Sequence, residues 1–350
     1  MSRKLFLEIV QGIELFIETH HPLPAHFDFF RQRPDTRGVM SFSVIMKCTC
    51  ALRQLAFGIH PDALDEYLQI GEHCARDCLD FFTMCIIQLY EKEFLRKPSE
   101  TDIHKLYDAH SMVHKIPGML GSIDCMHWEW KNCPKEWQGQ FHRGDKKFPT
   151  IMLEAVASYD LWIWHAFFGV ACANNDLTVL YNSPLFDDLI DDVADVVPFE
   201  VFGRKFKHGY YLADGIYPEW ASFVKSFTIA SNPKNAAWKV KQESARKDIE
   251  RAFGVLHGRW RVIAQPAHAF TVAKLRRIMY SCIIMHNMIL KDQQYAISEA
   301  AEMYIPPHPH MQKSWVERCA VHRRQNKELR DKNIHRRLQR CFIEHVWQQQ

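Results

Sequence analysis

Three acidic side chains stand in apolar stretches, where an ionised carboxylate is costly unless a cation or a hydrogen-bond donor meets it. Asp124 interrupts the run "GSIDCMHWEW" and alternates in step with Met126 and Trp128, so it should share their face of a β-strand. Asp214 ends the apolar run "GYYLAD", and Glu250 lies at the margin of the buried stripe of the helix "ESARKDIERAFGVL". Carboxylate oxygens are the ligands that Mg²⁺ and Mn²⁺ prefer. Two such ions held about 4 Å apart can promote cleavage of a phosphodiester.

Each of these acids also has an interpretation that needs no metal. Asp214 precedes a glycine, and Asp-Gly is a common turn pair. Asp124 could accept backbone N–H groups. Glu250 could pair with Arg246, one turn earlier, on a solvent-exposed helix. Asp248 lies about 200° around the same helix from Glu250, so the two acids cannot serve one site.

The elements that must position these residues follow from the hydrophobic pattern. Residues 1–100 are predicted to be helical, and three short amphipathic segments there resemble a helix-turn-helix module, although a plain helical packing domain has the same pattern. The polar break "KPSETD" is the candidate boundary. After it come strands at "MLGSIDCMHWEW", at "TIMLEAVASYDLWIWHAFFGV" (two strands around "SYD") and at "GYYLADGIYP", then two long helices.

Strands followed by flanking helices predict an α/β layer architecture. The predicted domains are a helical region at 1–100, a candidate for DNA binding by its helix-turn-helix-like pattern, an α/β domain at 101–295 and a basic helical tail at 296–350.

Composition limits the class of protein. The chain has 350 residues, of which 47% are hydrophobic, so it can bury a substantial core. No run of 18 apolar residues occurs, and glutamates interrupt the apolar N-terminal segment, so we expect a soluble protein with no membrane partner. The 11 cysteines form no C-x-x-C pair and mostly sit in apolar runs. This favours reduced thiols in the cytosol or nucleus.

Positive charge is concentrated in two places although the net charge is only +3. Residues 321–340 contain eight Lys or Arg against two acids, which suits phosphate binding or nuclear import, or equally a solvated helix face. The loop "HRGDKK" offers Arg143, Lys146 and Lys147 next to the predicted site. These three could contact a DNA backbone or simply form a solvated turn.

Several motifs occur in the order found in one family. "GMLGSIDCMHWEWKNCP", "TIMLEAVAS", "LWIWHAFFG", "NND", "YYLADGIYPEWASFVK" and "ARKDIERAFGVL" closely resemble plant PIF/Harbinger-type transposases and their transposase-derived, nuclease-like relatives. The resemblance runs from "FFRQRPDTRG" to "LQRCFIEHVW", nearly the whole chain.

The resemblance implies an RNase H-like catalytic core whose DDE triad is Asp124, Asp214 and Glu250. It also places an acid of the "NND" motif, Asp176, near the metal, although Asp176 could instead cap the helix that follows. A divalent cation, Mg²⁺ or Mn²⁺, is the implied cofactor and DNA the implied partner. The resemblance further implies a nuclear setting, with the cytoplasm as a second one, and a Myb-like accessory protein.

Two functions of different classes remain after this comparison. The first is a metal-dependent DNA endonuclease or transposase-derived enzyme that hydrolyses phosphodiester bonds. The second is a domesticated, catalytically silent DNA- or chromatin-binding scaffold that keeps the fold. Intact acids favour the enzyme, because a silent scaffold gains nothing from carboxylates at these positions.

Overall fold

A computed structural model describes residues 1–142, 148–171, 175–227, 229–230, 232–297 and 315–349. Its centre is a five-stranded mixed sheet in the order β3-β2-β1-β6-β7. The two further strands, β4 and β5, form a separate antiparallel hairpin. The strands are β1 (Met119–Glu129), β2 (Thr150–Ala157), β3 (Ile163–Ala171), β4 (Phe199–Val201), β5 (Arg204–Phe206), β6 (Tyr210–Ala213) and β7 (Phe223–Lys225).

Helices precede, interrupt and follow the sheet. The six elements before β1 are α1 (Arg3–Thr19), α2 (Ala25–Asp28), α3 (Val44–Phe57), α4 (Ala63–Leu68), α5 (Glu72–Phe94) and α6 (Glu100–His114). Between the strands lie α7 (Lys135–Phe141), α8 (Asp176–Asn182) and α9 (Asp187–Ile190). After β7 come α10 (Pro233–Arg259), α11 (Arg261–Ala264), α12 (Val272–Asp292), α13 (Trp315–Leu329) and α14 (Lys332–Gln348). The predicted α/β architecture is therefore confirmed.

The strands form where the sequence is most apolar. All eight residues of β2 are buried, as expected for a strand covered on both faces. β1 pairs antiparallel with β2 and parallel with β6, while β6 pairs parallel with β7. Trp128 and Trp130 are buried, and their indole N–H groups donate to the carbonyl oxygens of Gln265 and Ala269. These tryptophans therefore belong to the core.

Helix α10 lies across β1 and positions one edge of the candidate site. Asn232 caps the helix by accepting from the Asn235 N–H, and Pro233 occupies the first turn, where its missing N–H costs nothing. Ala245, Ile249, Ala252 and Leu256 form its buried stripe, as the pattern predicts. The Ser122 hydroxyl in β1 donates to Ala245 O at 3.3 Å.

The N-terminal helices pack against α12, the long helix that follows the sheet. Helix α5 lies along α12, and the Ser281 hydroxyl donates to Thr83 O at 3.0 Å. The Asn287 amide donates both to Phe94 O and to Ile163 O, tying α5 to β3. The domain boundaries and the DNA-binding role of these helices stay predictions. Within the described ranges, no helix combines the length and apolarity needed to cross a membrane.

Candidate functional site

The two strand-borne aspartates lie side by side at one end of the sheet. In the parallel pair β1–β6, Ser122 is the register partner of Leu212. Asp124 lies two residues beyond Ser122, and Asp214 lies two residues beyond Leu212. Side chains two residues apart share a face of a strand, and the negative charge of Asp214 acts on the Asp124 carboxyl group, so the two carboxylates lie near each other. The interruption at Asp124 and the end of β6 at Asp214 thus meet in space.

Arg246 joins Asp124 to Glu250. Its Nη1 donates to Asp124 Oδ2 at 3.1 Å, and its Nη2 lies 2.8 Å from Glu250 Oε1. The second pair is the ordinary i, i+4 contact of a helix. The first pair crosses from α10 to β1, so this edge of the helix faces the strand aspartates. A cation does meet Asp124 on its apolar strand, and in this structure it is a guanidinium.

Asp176 occupies the first turn of α8 and completes the acidic group. The alternative interpretation of Asp176 as a helix cap is wrong: Asn175 caps α8, because its side chain accepts from Thr178 N at 3.0 Å. The side chain of Asp176 is thus not needed as the cap. The negative charge of Asp176 raises the pKa of the Asp124 carboxyl group.

The environment of Asp124 disfavours its ionised form. Burial is the largest cause and raises its pKa from 3.8 to about 6, while the Cys125 N–H and Arg246 act in the opposite direction. The charges of Asp214 and Asp176 also act to raise this pKa, and the value of about 6 includes them. Such a combination of burial and clustered like charge is typical of sites built for a cation or for proton transfer.

The local roles considered for these acids are also present. Asp124 Oδ1 accepts from the Cys125 N–H at 2.8 Å, and Asp214 Oδ1 accepts from the Ile216 N–H at 2.8 Å. Each contact uses one oxygen of the carboxylate. The turn contact of Asp214 therefore does not exclude a ligand role for its other oxygen.

Carboxylate oxygens are the donors that a hard divalent cation prefers, and the acids around Asp124 supply them together with one arginine that partly balances their charge. Within the described ranges, no three carboxylate, imidazole or thiol groups are close enough to hold a metal ion as they stand. On the α10 side, Arg246 contacts both Asp124 and Glu250, so a guanidinium occupies the space between these two carboxylates. The loop residues Arg143, Lys146 and Lys147 lie outside the described residues.

A second buried group lies behind β1, and sequence reasoning missed it. Glu154 is fully buried and lies opposite Cys125 in the β1–β2 register. Its Oε1 is 3.3 Å from His165 Nε2, which also lies 3.0 Å from Ser183 Oγ. A glutamate within the run "TIMLEAVA" was the available signal, because the run otherwise predicts a buried strand.

Comparison with known proteins agrees with the motifs. A family model described as plant transposon protein matches residues 92–296. The matched segment holds β1 through α12 and all four acids of the candidate site. No curated protein and no solved structure matches the chain. Since the match covers more than half of the chain, the chain belongs to the plant transposon protein family.

Proposed function

We propose that this protein is a divalent-metal-dependent DNA nuclease of the PIF/Harbinger DDE type, with an RNase H-like core. The observation that carries the proposal is the group of acids around Asp124: the charges of Asp214 and Asp176 act on its carboxyl group, and Arg246 joins it to Glu250. The mixed sheet flanked by helices supports the RNase H-like assignment. The nuclear setting and the Myb-like accessory protein remain proposals that rest on the resemblance.

The carboxylates would hold Mg²⁺ or Mn²⁺, and such ions would polarise a DNA phosphodiester and acidify the attacking water. Asp124 and Asp214 lie on adjacent strands of a rigid sheet, so their spacing is fixed before substrate arrives. Asp124 loses its proton near pH 6 and is ionised at neutral pH, ready to act as a ligand or to accept a proton. Glu250 would supply the last acidic ligand from α10.

Arg246 must give up its contact with Asp124 or Glu250 when a cation takes its place. Its side chain is 20% exposed, so it has room to move toward solvent. A released guanidinium beside the site would favour a bound phosphate, because Arg recognises phosphate oxygens in pairs.

The same contact favours the second candidate, a catalytically silent DNA- or chromatin-binding scaffold. A guanidinium that already bridges Asp124 and Glu250 neutralises part of the acidic charge without a metal ion. In a scaffold this bridge would be permanent, whereas in a nuclease it yields to the cation.

A cleavage assay distinguishes the two candidates. The purified full chain is incubated with supercoiled plasmid carrying terminal inverted repeats, in Mg²⁺, in Mn²⁺ or in EDTA. The nuclease predicts nicking that needs the metal and that Asp214→Asn abolishes. Asp108→Asn, the same change at an exposed carboxylate in α6 outside the site, is the matched control and should leave nicking intact. DNA binding without any metal-dependent nicking would contradict the nuclease and favour the scaffold.

A further inference from the structure

A basic surface lies on the outer face of α14, which follows the segment that the family model matches, and on the hairpin of β4 and β5, which lies within that segment. We call it the α14 basic surface. Its six members are exposed lysine and arginine side chains. They are Arg204, Lys205, Lys332, Arg336, Arg337 and Arg340.

The buried side of α14 fixes this surface in place. Phe342 stacks on Trp238 of α10 with ring centroids 5.2 Å apart, and it contacts Tyr210 of β6 at 5.1 Å. On the outer side, the Arg337 guanidinium lies over the Phe206 ring, 5.5 Å from its centroid. That contact holds the hairpin of β4 and β5 against the helix. The charges of Arg204 and Arg337 both act on the Cys341 thiol of α14, so cations of the hairpin and of the helix lie next to each other.

The positive charge of this surface is poorly balanced by acids. Arg336 pairs with Glu219 at 3.2 Å, and Glu200 is the cross-strand partner of Lys205. Among the described residues, no acid lies within ion-pair distance of the other five cations, Arg204, Lys205, Lys332, Arg337 and Arg340. Five unpaired cations on one face repel one another, so an anionic partner would stabilise them.

We propose that the α14 basic surface binds the phosphate backbone of duplex DNA without reading its sequence. Lys332 to Arg340 spans about 12 Å of helix at 1.5 Å per residue. Duplex DNA carries one negative charge per about 1.7 Å of its axis, so a segment of that length carries about seven phosphates around its two strands, and part of them face the helix. Lysine and arginine on a helix face can contact several of them at once.

The surface is connected to the strand next to the candidate site. The Gln339 amide of α14 donates to Lys225 O at 3.1 Å, and Lys225 is the register partner of Ala213, the residue before Asp214. The Lys225 ammonium donates to Tyr217 O at 2.8 Å, in the loop that follows Asp214. DNA held on α14 would thus lie beside the strands that carry the acids. The choice of DNA as partner rests on the proposed function.

The test measures DNA affinity without metal, so that it does not depend on cleavage. Fluorescence anisotropy with a short duplex of random sequence is recorded in EDTA between 50 and 200 mM salt. The variant carries Arg204→Gln, Lys205→Gln and Arg340→Gln, which leaves the Arg337 contact with Phe206 in place. The control carries Lys131→Gln, Lys135→Gln and Arg261→Gln, three exposed cations that lie outside both α14 and the helices predicted to bind DNA.

We expect the DNA affinity of the variant, but not that of the control, to depend less steeply on salt than the affinity of the wild type. Each phosphate contact contributes about 0.9 to the slope of log K against log salt, so three lost contacts reduce the slope by about 2.7. Over a fourfold salt range, the wild-type affinity should then fall about 40-fold more than that of the variant. The control should match the wild type, and both variants should keep the wild-type circular dichroism.

An unchanged slope in the variant would overturn the proposal and assign the surface to another partner, such as an acidic protein. The result is independent of the nuclease activity. A chain that binds DNA through this surface but never cuts it would refute the proposed function and leave this inference standing.

Discussion

In the variant Asp124→Asn, an amide of nearly the same size replaces a carboxyl group whose pKa the folded chain raises from 3.8 to about 6, chiefly through burial. A group with a raised pKa in the folded state contributes stability below its unfolded pKa. That stability is lost as the pH rises through the folded pKa. The wild type therefore becomes less stable, relative to the asparagine variant, between about pH 4 and pH 7.

The size of the effect follows from the two pKa values. The difference between a pKa of 3.8 and one of about 6 lowers the unfolding free energy of the wild type by about 3 kcal/mol near pH 7. At pH 4 the same difference lowers it by only about 0.5 kcal/mol. The positive charge of Arg246 is already included, because it opposes the shift. We expect Asp124→Asn to be the more stable protein by about this amount at neutral pH in the absence of metal.

Urea unfolding followed by tryptophan fluorescence, in EDTA at both pH values, measures the difference. The control is Asp65→Asn, an exposed carboxylate in α4, which should change stability by less than about 0.5 kcal/mol at either pH. A variant that is no more stable than the wild type near pH 7, or a gain that is the same at both pH values, would refute the reasoning.

Three other substitutions or treatments test separate features. The variant Arg246→Gln should bind Mn²⁺ at least about tenfold more tightly in calorimetric titration, because the metal ion no longer has to break a charged hydrogen bond of about 1.5–3 kcal/mol. Equal or weaker affinity would contradict competition between the Arg246 guanidinium and the metal ion. A hydrogen bond from the Cys78 thiol, one turn along α5, lowers the pKa of Cys74 to about 7. Iodoacetamide at neutral pH should therefore label Cys74 first, as measured by peptide mass spectrometry. Preferential labelling of the buried Cys48 would contradict this prediction. Asp102→Asn should cost about 3–5 kcal/mol in urea unfolding, because it removes the negative charge that lies 2.5 Å from the buried Arg96 guanidinium. A loss under about 1 kcal/mol would show that this charge pair is not needed for stability.

The large elements of the fold could be predicted because their patterns are long. β1, β2 and β3 are 8–11 residues each, and α10 and α12 repeat their apolar positions over several turns. β4, β5 and β7 have only three residues each, too few to show an alternation. The sheet order likewise depends on long-range pairing, which no local pattern encodes.

The site was predictable residue by residue but not as a network. An acid in an apolar strand is visible in the sequence, and the family resemblance adds Asp176. The contact between Arg246 and Asp124 spans 122 residues, so the sequence suggested only the local partner of Arg246, Glu250. Asn175 and Asp176 are both good caps and adjacent, and only the backbone geometry shows which one caps α8.

The buried group of Glu154, His165 and Ser183 shows the same limit. Its members come from β2, from β3 and from the turn after α8, and each alone suggests a strand or a turn. Cys125, which faces this group, has its thiol pKa raised mainly by burial and further by the charge of Glu154. Asp124 on one face of β1 and Glu154 beside the other face are therefore recognised as two charged groups only in the folded sheet.

We propose that the acids at 124, 176, 214 and 250 form one cation site. Mn²⁺ binding to the metal-free full chain, followed by electron paramagnetic resonance near neutral pH, tests it most directly. The account predicts saturable binding that Asp124→Asn and Asp214→Asn each weaken at least about tenfold, the equivalent of 1.4 kcal/mol, while Asp65→Asn leaves it unchanged. Equal Mn²⁺ affinity in the wild type and in both site variants would contradict the shared site.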